Sequence, residues 1–217
     1  MRKNMPSLVL TAAIILVWQA AAVIINAPYI LPSPVKIVLK IWELRRNLFL
    51  VQLPATMSVT FLGLLISVVF GLGLAVVMDM NKKIADAVYP IVIASQTIPT
   101  TAIAPLFVLW FGYSIWARVL VTILITFFPI TITVYDGFKS TKREMEELLI
   151  TYGAGKWDIF VKLKIYSALP HFFSAIKMAV PLSVIGAAIA EWLGAQSGLG
   201  YFSKRMTSGG SGCKSTK

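Results

Sequence analysis

The chain has 217 residues, of which 58% are hydrophobic and only 13% are charged, about half the charged fraction of an average soluble domain. So few charges cannot cover a globule in water, and the chain is therefore predicted to lie largely in lipid. The net charge of +11 does not indicate nucleic-acid binding, because the basic residues lie scattered between apolar runs and not along one stripe. A single cysteine, Cys213, excludes an intrachain disulfide, and a single histidine, His171, argues against a bound metal such as zinc.

Five apolar runs are long enough to cross about 30 Å of hydrocarbon, which takes about 20 helical residues. The third run stays uncharged to residue 117 and contains three prolines, so we end its span near Trp110 and predict a turn at residues 111–114. The first run exceeds the 7–15 residues typical of a signal-peptide core, although Ala20-Ala21-Ala22 resembles a cleavage site. The fold is thus predicted to be all-α, a polytopic transmembrane helix bundle of about five spans, at residues 7–25, 55–78, 87–110, 115–135 and 172–192.

The Lys and Arg residues of the connecting segments predict that the N-terminus is cytoplasmic. In that orientation ten of them lie inside and four outside, leaving the C-terminal tail aside; the ten are Arg2, Lys3, Lys82, Lys83, Lys139, Lys142, Arg143, Lys156, Lys162 and Lys164. Residues 28–54 then lie outside and include an amphipathic stretch, which favours an interfacial helix. Asp79 and Asp136 fall at the inner helix ends, where we expect both to be solvated.

The polar loop 136–170 carries most of the predicted cytoplasmic charge. Acidic residues in its first part suit the first turn of a short helix, and Gly153 and Gly155 permit a sharp reversal into a second one. An exposed apolar surface is predicted beside the membrane from Leu148, Leu149, Tyr152, Trp157 and Phe160. This hairpin either lies against its own bundle or presents a helix to the groove of a cytoplasmic partner.

The loop resembles the cytoplasmic loop of permease subunits of bacterial ABC importers, which reads Glu-Ala-Ala, three residues, Gly, nine residues, Ile-x-Leu-Pro. Here Glu147-Leu148-Leu149 is followed at that spacing by Gly153 and then by Leu163-Lys164-Ile165-Tyr166, so both alanines are leucines and Tyr166 replaces the proline. Other segments between about residues 8 and 206 resemble the nitrate/sulfonate/taurine-type branch: 31–34, 97–99, 104–106, 109–112, 127–129, 191–194 and 198–200.

The resemblance implies partners and a location. A second permease copy, a cytoplasmic ATPase dimer and an extracytoplasmic substrate-binding protein are expected around this chain in the bacterial inner membrane. ATP and magnesium would bind the partner ATPase, while this chain would bind no cofactor and would not be an enzyme. The residues that would couple it to the ATPase are Glu147, Leu148, Leu149, Gly153, Ala154, Trp157, Asp158 and Phe160.

The resemblance also implies one transmembrane permease domain, residues 1–206, followed by an atypical Gly/Ser/Lys tail, residues 207–217, which we expect to be disordered. Six spans are expected from the family. We find no sixth apolar span after Gly200, so the predicted five spans lack the last helix that the family implies.

Two regions are candidates for a translocation path or gate. Gln96, Thr97 and Thr100 surround Pro99, where hydroxyls either satisfy a carbonyl that the proline frees or line a pore. Glu191 is an acid at the outer end of the fifth span, where a gate or substrate role competes with simple exposure. Small residues at Gly63, Ser67, Gly71 and Gly73 predict close helix packing of the second span.

The predicted function is the permease subunit of a binding-protein-dependent ABC importer for a small polar solute. The candidate solutes are a thiamine-pyrimidine precursor, a sulfonate such as taurine, and nitrate. Residues 95–105 and 139–147 most resemble the pyrimidine-precursor members, and no cation cluster indicates an anion. Two alternatives are a truncated, inactive permease-like fragment and an ATPase-independent secondary transporter; the latter usually has a charged midplane site or paired broken helices.

Overall fold

The computed structural model describes residues 5–25 and 31–209 of the chain, and within them the secondary structure is helical. In chain order the helices are α1 (Met5–Ile25), α2 (Pro34–Asn47), α3 (Leu53–Met80), α4 (Lys82–Ser95), α5 (Thr100–Phe111), α6 (Ile115–Lys139), α7 (Arg143–Thr151), α8 (Lys156–Ile159), α9 (Ile165–Gly194) and α10 (Leu199–Gly209). Two π-helical turns, Leu48–Gln52 and Phe160–Lys164, lead directly into α3 and α9. The all-α prediction is confirmed.

Three helical segments in the described part of the chain are long and apolar enough to cross a membrane: Pro34–Met80, Ile115–Lys139 and Lys156–Gly194. The pair α4 and α5 makes a fourth if it is counted as one broken span. The first predicted span is helical as expected, but its apolar part, Val9–Ile25, is a shorter helix than these. The polytopic character is confirmed, and the first of the five predicted crossings stays a prediction.

The third predicted span is not one helix. Helices α4 and α5 meet at a 95° bend over residues 96–99. Pro99 has no backbone N–H to continue the ladder and disfavours helical geometry at Ile98 before it, which accounts for a break at this point. The turn predicted at residues 111–114 is confirmed, with Gly112 in a left-handed conformation at φ +63°.

The amphipathic stretch of residues 28–54 forms α2, as predicted, with Ser33 capping its N-terminus through a 3.3 Å hydrogen bond from the Lys36 backbone N–H. It does not end before the membrane span, because the π-helical turn at Leu48–Gln52 continues it into α3 as one helical segment of 47 residues. No side chain of α2 is buried. Its interfacial position stays a prediction.

The core is a bundle of α3, α6 and α9, in which small residues allow the backbones to approach closely. Added Cβ atoms on Gly63 and Gly71 would lie 2.6 Å from Thr122 Cγ2 and 3.0 Å from Ile130 Cγ2, and the Ser67 and Thr126 hydroxyls are hydrogen-bonded at 2.6 Å. These pairings show that α3 and α6 run parallel. The packing predicted for Gly63, Ser67 and Gly71 is confirmed, and that for Gly73 is wrong, because no such neighbour among the described residues lies within 4 Å of an added Cβ.

Helix α9 packs antiparallel against α6. Gly186 near its C-terminal end faces Thr122 near the start of α6, whereas His171 near its N-terminal end faces Gly137 near the end of α6. Thr122, Thr126 and Thr131 each donate a hydrogen bond to the carbonyl four residues earlier, so these buried hydroxyls are satisfied within their own helix. The interior can therefore be polar in composition without leaving these groups unpaired.

The surface of the bundle is strongly apolar. Large side chains such as Leu109, Trp110 and Ile24 are mostly exposed. In water each would forgo roughly 1.5–3 kcal/mol of burial free energy, whereas hydrocarbon chains solvate them at no such cost. The exposed surface therefore agrees with a multi-pass membrane protein.

Candidate functional site

The loop predicted to be a hairpin has the expected geometry. Helix α7 ends at Thr151, Gly153 takes a left-handed conformation at φ +81°, and Gly155 precedes α8. The backbone N–H of Gly153 donates to the Ile150 carbonyl at 2.9 Å, and that of Ala154 donates to the Leu149 carbonyl at 3.0 Å. The left-handed conformation favours glycine, so Gly153 fixes the reversal, as predicted.

An apolar stripe runs along α7. Met145, Leu148, Leu149 and Tyr152 are spaced as i, i+3, i+4 and i+7, and all but the half-buried Leu149 are exposed. Trp157 of α8 is exposed as well, and Ala154 is half-buried. The hairpin thus leaves this apolar stripe of α7 uncovered by its own bundle.

Phe160 is not part of that exposed surface, so this part of the prediction is wrong. Its side chain is buried, with its ring 5.2 Å from that of Phe138 in α6 and 5.6 Å from that of Trp157, on which it stacks. The π-helical turn carries Phe160 inward to the bundle. Phe160 therefore anchors the hairpin to α6 and Trp157 extends outward from it.

Two predicted acidic residues of this loop pair locally. Glu147 accepts from Arg143 at 2.8 Å, and Asp158 lies 2.8 Å from Lys162, each pair four residues apart on one helical segment. Exposed pairs of this kind contribute little to stability, because water and salt screen them. They support the helical conformation and do not fix the loop to the bundle.

The residues predicted around Pro99 are only partly brought together. Gln96 and Thr100 line an open pocket of about 250 Å³, whereas Thr97 and Pro99 do not. The Thr97 hydroxyl donates to the Ala94 carbonyl at 2.7 Å, which is the expected behaviour of a residue that satisfies the helix end. The other residues that line the pocket are uncharged: Ser95, Ile98, Ile103, Leu124, Ile125, Phe128, Pro129 and Leu182.

Glu191 lies elsewhere, about 13 Å further along α9 than Leu182 of that pocket. It is only 1% exposed, and its Oε2 accepts a 2.8 Å hydrogen bond from the backbone N–H of Gly200. Gly198, at φ +126°, approaches so closely that an added Cβ would collide with the carboxyl group. Simple exposure of Glu191 is therefore excluded, and a gate or substrate role stays a prediction.

Three side chains converge on the backbone where α10 begins. Gln52 Oε1 accepts from the Gly198 N–H at 2.7 Å, Thr56 Oγ1 accepts from the Leu199 N–H at 2.8 Å, and Glu191 accepts from the Gly200 N–H. These N–H groups have no partner within α10, so they are capped by side chains of the π-helical turn Leu48–Gln52, of α3 and of α9. We call Gln52, Thr56, Glu191 and residues 198–200 the Glu191 cluster.

Arg118 of α6 joins this region and was missed by the sequence analysis. Its guanidinium Nη1 donates to the Ser197 carbonyl at 3.4 Å, and within the described residues its Nε and Glu191 Oε1 lack a hydrogen-bond partner. An arginine four residues into an apolar span is itself a signal of a paired or functional group. A second pocket, of about 370 Å³, opens beside Glu191 and is lined by Tyr113, Tyr201, Lys204 and Arg205 among others.

Asp79 was expected to be solvated and is not. Its side chain is 8% exposed, and its Oδ1 accepts from Lys164 Nζ at 2.9 Å. Lys164 also lies 3.3 Å from Glu146 of α7. We call Asp79, Glu146 and Lys164 the Lys164 cluster; Asp136, by contrast, is exposed as predicted.

Helix α10 was not predicted, and it extends three residues into the proposed tail, to Gly209. The rest of that tail, residues 210–217, lies outside the described residues.

The sequence is similar to known transport permeases along most of its length. It is 52% identical to the formylaminopyrimidine transport permease protein ThiX of Halalkalibacterium halodurans, over 89% of this chain and 77% of that protein. It is 32% identical to the riboflavin transport system permease protein RibX of Chloroflexus aurantiacus, over 84% of this chain and 69% of that protein. It is 30% identical to the putative aliphatic sulfonates transport permease protein SsuC of Bacillus subtilis, over 91% of this chain and 72% of that protein. Residues 67–210 match the family model described as binding-protein-dependent transport system inner membrane component. The chain therefore belongs to this family, the inner membrane permease components of ABC importers.

Proposed function

We propose that the chain pairs with a second copy and couples ATP hydrolysis by a cytoplasmic ATPase dimer to the import of a neutral pyrimidine, a thiamine precursor, delivered by an extracytoplasmic binding protein. The N-terminus and the α7–α8 hairpin lie in the cytoplasm. ATP and magnesium bind the ATPase and not this chain. Glu147 through Phe160 act as the coupling segment.

The apolar stripe of α7 carries this proposal. Met145, Leu148 and Tyr152 form an exposed row at one end of a membrane bundle, left uncovered by the described part of the chain, and their spacing suits a groove. Phe160 packs the hairpin against Phe138 of α6, so a displacement of the stripe would also displace the membrane-spanning helices. Gly153 sets the angle between the docking helix and this anchor.

The solute class is supported by the pocket at the bend between α4 and α5. Its polar groups are the Gln96 amide and the Ser95 and Thr100 hydroxyls, with Phe128 beside them and no charge in the lining. An anion would enter without a countercharge, whereas a pyrimidine can accept and donate hydrogen bonds and stack on an aromatic ring. The relative at 52% identity is a formylaminopyrimidine permease by name, in agreement with this choice.

A second candidate solute, a sulfonate, is favoured by the other pocket. Lys204 and Arg205 line the 370 Å³ pocket beside Glu191 and would attract an anion there. The sulfonate permease relative agrees with this possibility at lower identity. The two candidates predict different pockets and can be separated by experiment.

The docking proposal is tested with the full chain, affinity-tagged and purified from bacterial membranes in mild detergent. An ATPase subunit is expected to co-purify, identified by mass spectrometry and by ATP hydrolysis in the eluate. Leu148→Gln removes apolar contact from the stripe and should weaken this association roughly 10- to 100-fold. Ile150→Gln is the matched control, because Ile150 is exposed on the same helix but lies off the stripe.

Absence of an ATPase from the wild-type preparation would overturn the importer proposal and favour the ATPase-independent transporter. Equal loss of ATPase association in both variants would mean that α7 has no specific docking stripe.

The solute is tested separately. Uptake of labelled formylaminopyrimidine and of taurine is compared in vesicles that contain the co-purified complex and its binding protein. Gln96→Ala should reduce pyrimidine uptake, and Arg205→Gln should leave it unchanged. Uptake of taurine but not of the pyrimidine, reduced by Arg205→Gln and unchanged by Gln96→Ala, would favour the sulfonate.

A further inference from the structure

Lys164 lies at the junction between the hairpin and α9. It is the last residue of the π-helical turn Phe160–Lys164, directly before α9. Its Nζ lies 2.9 Å from Asp79 Oδ1 at the end of α3 and 3.3 Å from Glu146 Oε1 in α7. One ammonium group therefore contacts carboxylates from two other elements, one in a span and one in the proposed docking helix.

The cluster is sheltered, unlike the other ion pairs of the hairpin. The side chains of Lys164, Asp79 and Glu146 are 19%, 8% and 31% exposed. Those of Lys162 and Asp158, only two to six residues away in sequence, are 68% and 49% exposed. Water and salt screen the exposed pair but act weakly on the sheltered one, so the Lys164 contacts respond most strongly to a change in geometry.

The two contacts of Lys164 differ in a way that suits transmission. The contact with Asp79 is the shorter and the more buried, and the contact with Glu146 is the longer and the more exposed. Lysine is a compact charge with three donors on a flexible four-carbon stem, so it can keep one carboxylate while it releases another. A displacement of α7 would therefore break the Glu146 contact before the Asp79 contact.

The π-helical turn explains how Lys164 reaches both partners. The backbone N–H of Ile165 bonds to the carbonyl of Phe160, five residues earlier, so the turn holds one residue more than an α-helical turn would. Such turns are rare and occur frequently at functional sites. Here the turn also holds Phe160 inward, so the anchor and the cation lie on the same five-residue turn.

We propose that Lys164 is a positioning residue that transmits movement of the docking helix α7 to the spanning helix α3. It does so by breaking and re-forming its contact with Glu146 while it keeps its contact with Asp79. This inference rests on the proposed function, in which an ATPase moves α7. It assigns to Lys164, Glu146 and Asp79 a role in coupling that is separate from docking itself.

The test uses the full chain with its co-purified ATPase and its binding protein in proteoliposomes, with formylaminopyrimidine as the solute. The quantity measured is the number of solute molecules imported per ATP hydrolysed. Lys164→Met, which keeps an apolar stem and removes the cation, should lower this ratio about tenfold while ATP hydrolysis continues. Lys164→Arg should restore most of the ratio, because it keeps a cation at the junction.

Glu146→Gln is the milder variant and keeps the test valid if Lys164→Met fails to fold. It leaves the contact between Lys164 and Asp79 intact, so the amount of folded complex and of bound ATPase should stay at the wild-type level while the ratio falls. The double variant Glu146→Gln/Lys164→Met should have the same import ratio as Lys164→Met alone, since both substitutions remove the same contact between Lys164 and Glu146. Lys162→Met is the matched control and should leave the ratio unchanged.

An unchanged ratio in Glu146→Gln and Lys164→Met would overturn the inference while the importer function stands. Loss of bound ATPase in Glu146→Gln would also overturn it, because Glu146 would then act in docking. If the wild-type complex neither binds an ATPase nor imports solute, the proposed function fails first and the inference falls with it.

Discussion

Each end of the bundle shelters a carboxylate, and the two are held in opposite ways. Glu191 accepts a hydrogen bond from a backbone N–H, and its neighbours Gln52 and Thr56 accept from the two preceding ones. Asp79 accepts from an ammonium group at the end of a flexible side chain. Backbone donors are fixed by the chain itself, so the Glu191 cluster defines a single position of α10, whereas the Lys164 cluster can follow a displacement of its parts.

The two ends of the bundle also differ in how closely their glycines are packed. At the Glu191 cluster, Gly198 and Gly200 bring backbone directly against side chains, and an added methyl group has no room. In the hairpin, which supplies Glu146 to the Lys164 cluster, Gly153 and Gly155 lie open: apart from their chain neighbours, no heavy atom of the described residues lies closer than 3.7 Å to an added Cβ. One end is built for a fixed fit and the other for adjustment between elements.

Gly198→Ala should have the largest effect. The new methyl group would meet the Glu191 carboxyl group, and φ of +126° is a conformation that alanine rarely adopts. We expect a loss of about 3 kcal/mol or more of stability, and a melting temperature lower by roughly 6–12 °C in detergent. Thermal unfolding of the purified chain, followed by circular dichroism, measures this.

Gly73→Ala is the control for that prediction. Gly73 is a helical glycine of α3, and in the part of the chain that the structure describes no heavy atom outside its own helix lies within 4 Å of an added Cβ. Alanine should be neutral or stabilise by up to about 1 kcal/mol. A melting temperature that falls equally in both variants would mean that the close approach of Gly198 to Glu191 contributes nothing.

Matched amide substitutions compare the two carboxylates directly. Asp79→Asn leaves the Lys164 ammonium with Glu146 alone and should cost about 2 kcal/mol, less than for a fully buried pair because Lys164 keeps some contact with water. Glu191→Gln retains an oxygen that can accept from Gly200 and should cost about 1 kcal/mol. Chemical unfolding of both variants measures the difference.

Salt sharpens this second prediction. Raising the ionic strength from about 0.1 to 1 M shortens the Debye length from about 10 to 3 Å. Screening acts only weakly on a sheltered pair, so the cost of Asp79→Asn should shrink slightly at high salt, while that of Glu191→Gln should not change. An equal salt response in the two variants would remove the distinction between an ion-paired and a backbone-bonded carboxylate.

The helices and the hairpin could be predicted from the sequence, whereas the direction of α5 could not. Apolar runs predicted most of the long helices, and the acidic residues of loop 136–170 with Gly153 and Gly155 predicted the hairpin, because these features depend on local periodicity and on turn chemistry. Pro99 indicated an irregular region but could not give the 95° bend, since the direction of α5 depends on its packing against α6 and α9.

The burial of the two carboxylates could not be predicted in the same way. Asp79 is sheltered by Lys164, 85 residues later, and Glu191 by a turn that returns only because Gly198 takes a positive φ. Both residues sit at helix ends, where exposure is the usual outcome. Gln52 and Thr56 are four residues apart on one helical face, a spacing consistent with a shared site but not specific enough to indicate one.

Thr56→Val tests the contribution of one of the three capping side chains of the Glu191 cluster. It removes the acceptor of the Leu199 N–H with little change in shape and should cost about 1 kcal/mol. Thr60→Val, one turn further along α3, is the control, because within the described residues the buried Thr60 hydroxyl has no partner. Its removal should be neutral or stabilising; a larger cost than for Thr56→Val would mean that capping of α10 from α3 is not what stabilises this end.

Arg143→Gln should have the smallest effect and tests the distinction between local and inter-element ion pairs. Arg143 pairs with Glu147 four residues away in α7, and both side chains are mostly exposed. Such a pair contributes less than about 0.5 kcal/mol, so melting temperature and ATPase association should stay at the wild-type level. If Arg143→Gln instead lowered the import ratio as strongly as Lys164→Met, any charge on the hairpin would influence coupling. The sheltered position of Lys164 between α3 and α7 would then have no special role.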